Sequence, residues 1–364
     1  MIGAAVPFND VHLGEDATDV HAAIQRVVER GWFILGPEVD AFEHEFAAAS
    51  GAAHAVSVGT GTDAIALLLR ALDIGPGAEV IVPAITAAYT ALAVVSTGAT
   101  PVIVDVDNDT LTMDPAACAA AITSRTQAII PVHLYGQAAA LPELQAVAAR
   151  HGLAIVEDCC QAHLATCDGV QVGTTSNGGA FSFYPTKNLG ALGDGGAAIT
   201  SDAAVARRIR MLRNGGQSDR YHHEVIGVNS RLDEIQAAIL RARLPRLADW
   251  TSMRRRLAAR YREMLTDATP PVRQRDAGHV YHLFPVRVAG AREALQAHLR
   301  ARGIETLIHY PVPLNRQAAF AAFHPAECPV AAAAAQELLS LPLYPRLHPA
   351  QVDEVVAGIA AWHA

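Results

Sequence analysis

Nowhere in the 364 residues does an apolar run reach the roughly 18–20 residues of a membrane-spanning helix, although 51% of the chain is hydrophobic. A soluble globular protein is the expectation. Basic charge is scarce as well: 28 Lys and Arg stand against 36 Asp and Glu, a formal net charge of −8. Such a balance offers no face for nucleic acid, and the one cationic triplet, Arg254-Arg255-Arg256, reads as a solvated helix face. Cysteine is sparse and unpatterned. Cys118, Cys159, Cys160, Cys167 and Cys328 are odd in number and lack C-x-x-C spacing, which argues against a disulfide framework and a zinc site. The 16 histidines include the pair His222-His223, but no acidic or cysteine partner stands at ligand spacing, so no metal is expected. The Met1–Asp10 stretch has neither the basic flank and apolar centre of a secretory signal nor a transit-peptide pattern, and a cytoplasmic location is the expectation. Internal repeats and low-complexity tracts are missing too.

What is present is alternation. Short apolar β-type runs at 55–58, 80–82, 101–104, 128–132, 153–156, 180–183 and 196–200 are separated by Ala- and Leu-rich helical stretches such as 63–72, 142–150 and 203–212. This is the pattern of βαβ units, and it predicts an α/β fold with a seven-stranded, mainly parallel sheet. After Asn229 the character changes to a long helical region, 232–265, which contains Pro245 and leads through Pro270-Pro271 into a shorter mixed segment. The expected division is an arm plus large domain over residues 1–250 and a small C-terminal α/β domain over 251–364. The arm carries Gly31-Trp32-Phe33-Ile34-Leu35-Gly36-Pro37, a loop expected to pack against something.

In open α/β sheets ligands collect at the carboxyl ends of the strands, which singles out three stretches. Gly59-Thr60-Gly61-Thr62-Asp63-Ala64 joins a strand to a helix, where free N–H groups and the helix dipole favour a phosphate. Such glycines also serve tight strand-to-helix packing. No acidic residue ends the next strand, so phosphate is read rather than dinucleotide. Asp158 closes an apolar run, where a carboxylate needs a partner; a protonated pyridine nitrogen is one, backbone donors at a turn another. Gln161, three residues on, is placed for a phenolic oxygen on the same ring. Lys187 precedes the glycine-rich stretch from Asn188 to Gly196. An exposed loop lysine is the ordinary outcome there, but a desolvated one has a lowered pKa and captures aldehydes. Ser182, five residues earlier, adds a hydroxyl for the phosphate. An aldehyde-capturing amine, an anion for a pyridinium and a phosphate cradle are together what a pyridoxal-phosphate enzyme supplies.

At these residues the chain resembles the DegT-type nucleotide-sugar aminotransferases, fold-type I pyridoxal-phosphate enzymes, over nearly its whole length. The likeness runs through residues 31–37 and 59–64, Val132-His133-Leu134-Tyr135-Gly136-Gln137, Val156-Glu157-Asp158, Gln161-Ala162-His163 and residues 181–196. Residues 221–234 and Ile308-His309-Tyr310-Pro311 are similar to the branch that aminates C3 of dTDP-linked 3-keto-6-deoxyhexoses. The resemblance implies pyridoxal 5'-phosphate carried by Lys187, its ring nitrogen on Asp158, its ring oxygen on Gln161 and its phosphate on Gly61, Thr62 and Ser182. Asn229 would complete the phosphate site of a neighbouring subunit in a homodimer with shared active sites, and L-glutamate would be the amino donor. Tyr184, Arg220, Tyr221, His309 and Tyr310 are the candidate substrate contacts. Three positions depart from the family: Ala87, with Tyr89 two residues on, where relatives stack an aromatic ring; Cys159-Cys160 in place of small residues; and Leu164 in place of a frequent glycine. A same-fold sugar dehydratase is disfavoured by Lys187, while 4-amination and a non-catalytic regulator remain the alternatives.

Overall fold

The computed structural model describes residues 6–363; residues 1–5, where the Met1–Asp10 reading begins, and Ala364 lie outside the described residues. Seven strands form the central sheet: β1 (His54–Val58), β2 (Glu79–Pro83), β3 (Thr100–Val104), β4 (Thr126–Ile129), β5 (Ala154–Asp158), β6 (Gly178–Ser182) and β7 (Gly196–Thr200). Their order is β1-β7-β6-β5-β4-β2-β3. Only β7 runs antiparallel to its neighbours, β1 and β6, and every other pairing is parallel.

The sheet is apolar on both faces, as a parallel sheet covered by helices must be. Successive residues point to opposite sides, so Val80 and Val82 join one core cluster and Ile81 the other. The same division separates Val56 from Ala55 and Ala198 from Ile199. This explains why the strands read as continuous apolar runs rather than as alternating ones. The helix Leu141–His151 ends at Gly152, whose φ of 66° supplies the left-handed cap. Pro245, lacking an N–H, divides the long helical region into Glu234–Arg243, a single tight turn at Leu244–Arg246, and Leu247–Met264.

A third cluster gathers Leu257, Tyr261, Phe284, Val286, Leu299, Leu341 and Val355 around the antiparallel pair Phe284–Arg287 and Leu338–Leu341. Not all of the C-terminal segment belongs to it, because Leu314, Phe320 and Ala331 pack into the first cluster of the large sheet. Trp250, where a boundary was expected, lies inside the Leu247–Met264 helix.

The arginine triplet on that helix is a solvated face at Arg255 and Arg256, and Arg254 departs from that expectation. Arg254 is buried and donates to the carbonyls of Tyr281, His282 and Leu343, although burial pulls its pKa down to about 10. Arg256 is exposed. The Gly31–Pro37 loop is held by its backbone: the buried Glu234 carboxylate accepts from the N–H groups of Gly36, Glu38 and Val39. Trp32, Phe33 and Ile34 meanwhile turn their side chains outward. No helix among the described residues is long and apolar enough to cross a membrane.

Candidate active site

The carboxyl ends of β1, β5 and β6 carry the three stretches singled out by sequence. At the end of β5 the backbone of Asp158 is fixed first: its N–H reaches Pro131 O at 2.9 Å, and its carbonyl accepts from His133 N at 3.0 Å. One residue earlier, Glu157 points to the other side of the sheet and pairs with His133 Nε2 at 2.8 Å, both side chains fully buried. Cys159 joins them within 4.8 Å, a geometry open to a metal ion. The tautomer argues otherwise. His133 Nδ1 accepts from Ala139 N at 3.0 Å, so the ring proton sits on Nε2 and is donated to Glu157, leaving no lone pair for a metal. This pair braces the strand end that carries Asp158.

The Asp158 carboxylate receives two neutral donors, Thr90 Oγ1 at 2.7 Å on Oδ2 and Cys160 N at 3.1 Å on Oδ1. Gln161 is oriented from both ends. Its Oε1 accepts from Tyr135 N at 2.7 Å and its Nε2 donates to Tyr310 Oη at 3.0 Å, which leaves one amide hydrogen uncommitted. Tyr135, fully buried, in turn donates to His309 O at 2.6 Å. Thus Gln161 and Tyr135 tie the loop after β5 to the His309-Tyr310 segment.

Lys187 follows β6 in a loop, its N–H bonded to Tyr184 O at 2.8 Å. Desolvation lowers the pKa of its amine, with Cys160 and Asp158 pulling the other way. Its surroundings are unusually rich in histidine held neutral. Burial is the main cause at each, and Lys187 adds to it: His163 falls to about 3, His309 to about 4, and His282 well below its ordinary value. His163 packs on Phe181 and Phe183. Beside this cluster Tyr310 is pushed up to about 12, chiefly by burial, so it remains a neutral phenol.

The helix Gly61–Ala71 begins directly against β6. Thr60 caps it by accepting from Asp63 N, and Gly61 and Thr62 occupy the first turn, where N–H groups have no helical acceptor. A Cβ on Gly61 would lie 2.6 Å from Cys160 Sγ and 2.8 Å from Ser182 Cβ, so glycine is required for this approach. Ser230 ties the neighbouring loop to the turn by accepting from Gly59 N and donating to Asp63. Next to it, Asn229 is exposed.

The structure therefore brings Lys187, Asp158, Gln161, Gly61, Thr62, Ser182, His309 and Tyr310 into one neighbourhood. Tyr184 stands half-exposed beside it. Arg220 and Tyr221 are not drawn in: they form the tip of a hairpin, Gln217–Asp219 with His222–His223, and the Arg220 guanidinium lies 5.0 Å over the Tyr221 ring. Ala87 is half-buried, and Tyr89 is exposed rather than folded over the site. Leu164 has φ of 63°, a left-handed conformation that accounts for glycine in relatives. Sequence reasoning had missed Thr90 and the neutral histidines, which share no local pattern with Asp158 or Lys187.

The sequence profile of the DegT/DnrJ/EryC1/StrS aminotransferase family matches residues 15–360. The chain belongs to that family. It is 48% identical over 364 residues to the dTDP-3-amino-3,4,6-trideoxy-alpha-D-glucose transaminase of Streptomyces venezuelae, covering 98% of this chain and 96% of that one. It is 49% identical over 363 residues to the erythromycin biosynthesis sensory transduction protein EryC1 of Saccharopolyspora erythraea, covering 98% and 99%. The crystal structure of S. venezuelae DesV with a ketimine intermediate superposes with a TM-score of 0.96 at 47% identity, covering 99% of this chain and 98% of that one. The family's fold is thus the fold of this chain, with the expected seven-stranded sheet.

Pyridoxal phosphate can be tested against this donor set. A desolvated amine, a carboxylate, an amide with a spare hydrogen, and an open helix N-terminus beside a serine hydroxyl match its aldehyde, ring nitrogen, ring oxygen and phosphate in turn. The residues fit.

Proposed function

We propose that this family member transfers an amino group from L-glutamate to C3 of a dTDP-linked 3-keto-6-deoxyhexose, with pyridoxal 5'-phosphate as its cofactor. The observation that carries the reading is the meeting of the desolvated Lys187 amine with Asp158 at neighbouring strand ends. When bound, pyridoxal phosphate supplies an electrophilic carbon for amines and an electron sink for the adjacent substrate carbon. Lys187 Nζ would hold it between turnovers and, when free, would carry a proton to and from the substrate carbon. The lowered pKa keeps more of that nitrogen in the neutral, reactive form. Asp158 binds the ring N–H, Gln161 gives its free amide hydrogen to the ring oxygen, and Gly61, Thr62 and Ser182 receive the phosphate.

On the substrate side, Arg220 is assigned to the pyrophosphate and Tyr184, Tyr221, His309 and Tyr310 to the sugar or nucleotide. Asn229, exposed beside the phosphate turn, reaches a second copy's phosphate in a homodimer. We assign the arm and cofactor domain to 1–250 and the small domain to 251–364, with the Leu247–Met264 helix spanning the two and Leu314, Phe320 and Ala331 returning to the core of the large sheet. A cytoplasmic location accords with five free cysteines. The choice of C3 is supported by the S. venezuelae relative, named for a 3-amino sugar.

Purified protein with pyridoxal phosphate should show a visible absorption band that glutamate bleaches. Added 3-keto sugar should then restore the band and yield the 3-amino product. A protein that binds the cofactor yet transfers no amine to any keto sugar would favour the regulator reading. Formation of a 4-amino sugar alone would overturn the regiochemistry and leave the aminotransferase.

A further inference from the structure

The Asp158 carboxylate is held from a distance of 68 residues by Thr90, whose hydroxyl donates to Oδ2 at 2.7 Å. Thr90 is only 1% exposed, and Thr86, 4% exposed, places its own hydroxyl 2.9 Å from that of Thr90. A hydroxyl carries one proton. Since Thr90 gives its proton to the carboxylate, Thr86 must be the donor between the two threonines, and the chain runs in one direction: Thr86 to Thr90 to Asp158. A threonine in the first turn of a helix ordinarily bonds to nearby backbone, whereas this one, in the helix Tyr89–Ser96, reaches across to the end of β5.

The choice of donor matters. A cation at that position would neutralise the carboxylate and compete with any bound cationic ring. Two neutral donors, Thr90 and the Cys160 N–H, fix the carboxylate plane yet leave its charge in place. The Lys187 amine, whose pKa burial lowers while Asp158 raises it, is a titratable neighbour of that carboxylate. Ala87, which departs from the stacking aromatic of relatives, lies between the two threonines in sequence.

We propose that Thr90, oriented by Thr86, is a positioning residue that sets how Asp158 holds the cofactor's ring nitrogen. The inference rests on the functional reading above and adds to it a second segment of the chain that governs the electron sink. It is tested with full-length protein freed of cofactor and titrated with pyridoxal phosphate, comparing Thr90→Val, Thr90→Ser and Thr86→Val. Thr90→Val should raise the dissociation constant about fivefold, a fraction of the worth of a hydrogen bond to a charged group, because the bond is made with and without the cofactor. It should also move the pH midpoint of the visible band. Thr90→Ser should restore both quantities, and Thr86→Val should shift both in the direction of Thr90→Val by a smaller amount. A purely structural role would lower the melting temperature of the cofactor-free chain without moving the pH midpoint. If Thr90→Val binds and titrates as the unmodified protein does, or if Thr90→Ser fails to restore it, the relay is wrong while the aminotransferase stands. If the unmodified protein takes up no pyridoxal phosphate, both fall.

Discussion

Around Asp158 the polar groups are tied by bonds between residues far apart in sequence: Thr90 to Asp158 across 68 residues, Gln161 to Tyr310 across 149, and Tyr135 to His309 across 174. Around Arg220 the bonds are local. The hairpin pairs Gln217 with His223 and Asp219 with His222, and Tyr221 at its tip is 75% exposed. The first region is settled by the packing of one chain. The second presents charge and aromatic surface outward, where only a substrate or a second copy could complete it. Cofactor chemistry demands fixed geometry before anything binds, whereas nucleotide recognition tolerates groups that become ordered on binding. If this contrast is right, substitutions at the two ends should differ both in size and in the parameter they change.

The largest effect is expected at Lys187. Lys187→Ala should remove amino transfer by roughly 10⁴-fold or more, because the anchor and the proton shuttle are lost together. The fold should survive, which circular dichroism and the melting temperature would show. Turnover near the unmodified rate would place the chemistry elsewhere. Next comes Asp158→Asn, which keeps the shape but removes the charge. A hydrogen bond to a charged group is worth about 1.5–3 kcal/mol, so cofactor affinity should fall roughly 10- to 100-fold. Absorbance titration measures it, and unchanged binding would detach Asp158 from the ring nitrogen.

The buried end also makes a prediction about pH. His163 titrates near 3 in the fold against 6.5 as its ordinary value, because burial and Lys187 disfavour its cation. The unfolded chain therefore binds the extra proton first, and the stability from neutral His163 is complete above about 6.5 and lost as pH falls toward 3. The slope approaches about 1.4 kcal/mol per pH unit for one such group. The melting temperature should fall as pH drops from 7 to 4, and His163→Phe should remove one group's share of that fall, with His282 and His309 contributing to the rest. An equal slope in that variant would assign the pH dependence to other groups.

Legibility in the sequence follows the same contrast. All seven strands could be read because a sheet buried on both faces leaves continuous apolar runs, and Lys187 and Asp158 stood out because charge at a strand end is costly. The region 232–265 reads as one helical stretch in sequence, whereas Pro245, which has no N–H, sits in a tight turn that splits it. Arg254 was misread because its partners, the carbonyls of Tyr281, His282 and Leu343, lie 27, 28 and 89 residues away. Thr90 was missed for the same reason. Charge count sees a basic helix face; only the fold supplies the carbonyls that bury it.

The proposal that Asn229 completes the site of a second copy gives a test of intermediate size. Asn229→Ala and Lys187→Ala chains, each inactive alone, should regain activity when mixed, because one site of every mixed dimer carries neither defect. With random exchange the recovery should approach about a quarter of the unmodified rate. Confirmed mixing without recovery would confine Asn229 to its own chain.

The smallest effect belongs to the hairpin, and it should differ in kind. Arg220 has its guanidinium over its neighbour's ring and no buried partner among the described residues, so Arg220→Ala should leave the melting temperature within the range of an ordinary surface change, about 0.5 kcal/mol. What it should lose is uniform binding of the pyrophosphate. KM for the nucleotide sugar should rise roughly tenfold with kcat little altered, since a remote anion contact is equally strong before and during amino transfer. Arg220→Lys should fall between, because an ammonium keeps the charge but not the two-pronged geometry. The half-reaction with glutamate, which has no pyrophosphate, should proceed at the unmodified rate in both variants. A loss of the glutamate half-reaction on Arg220→Ala would show that the hairpin shapes the cofactor end as well, and the division between the two regions would fail.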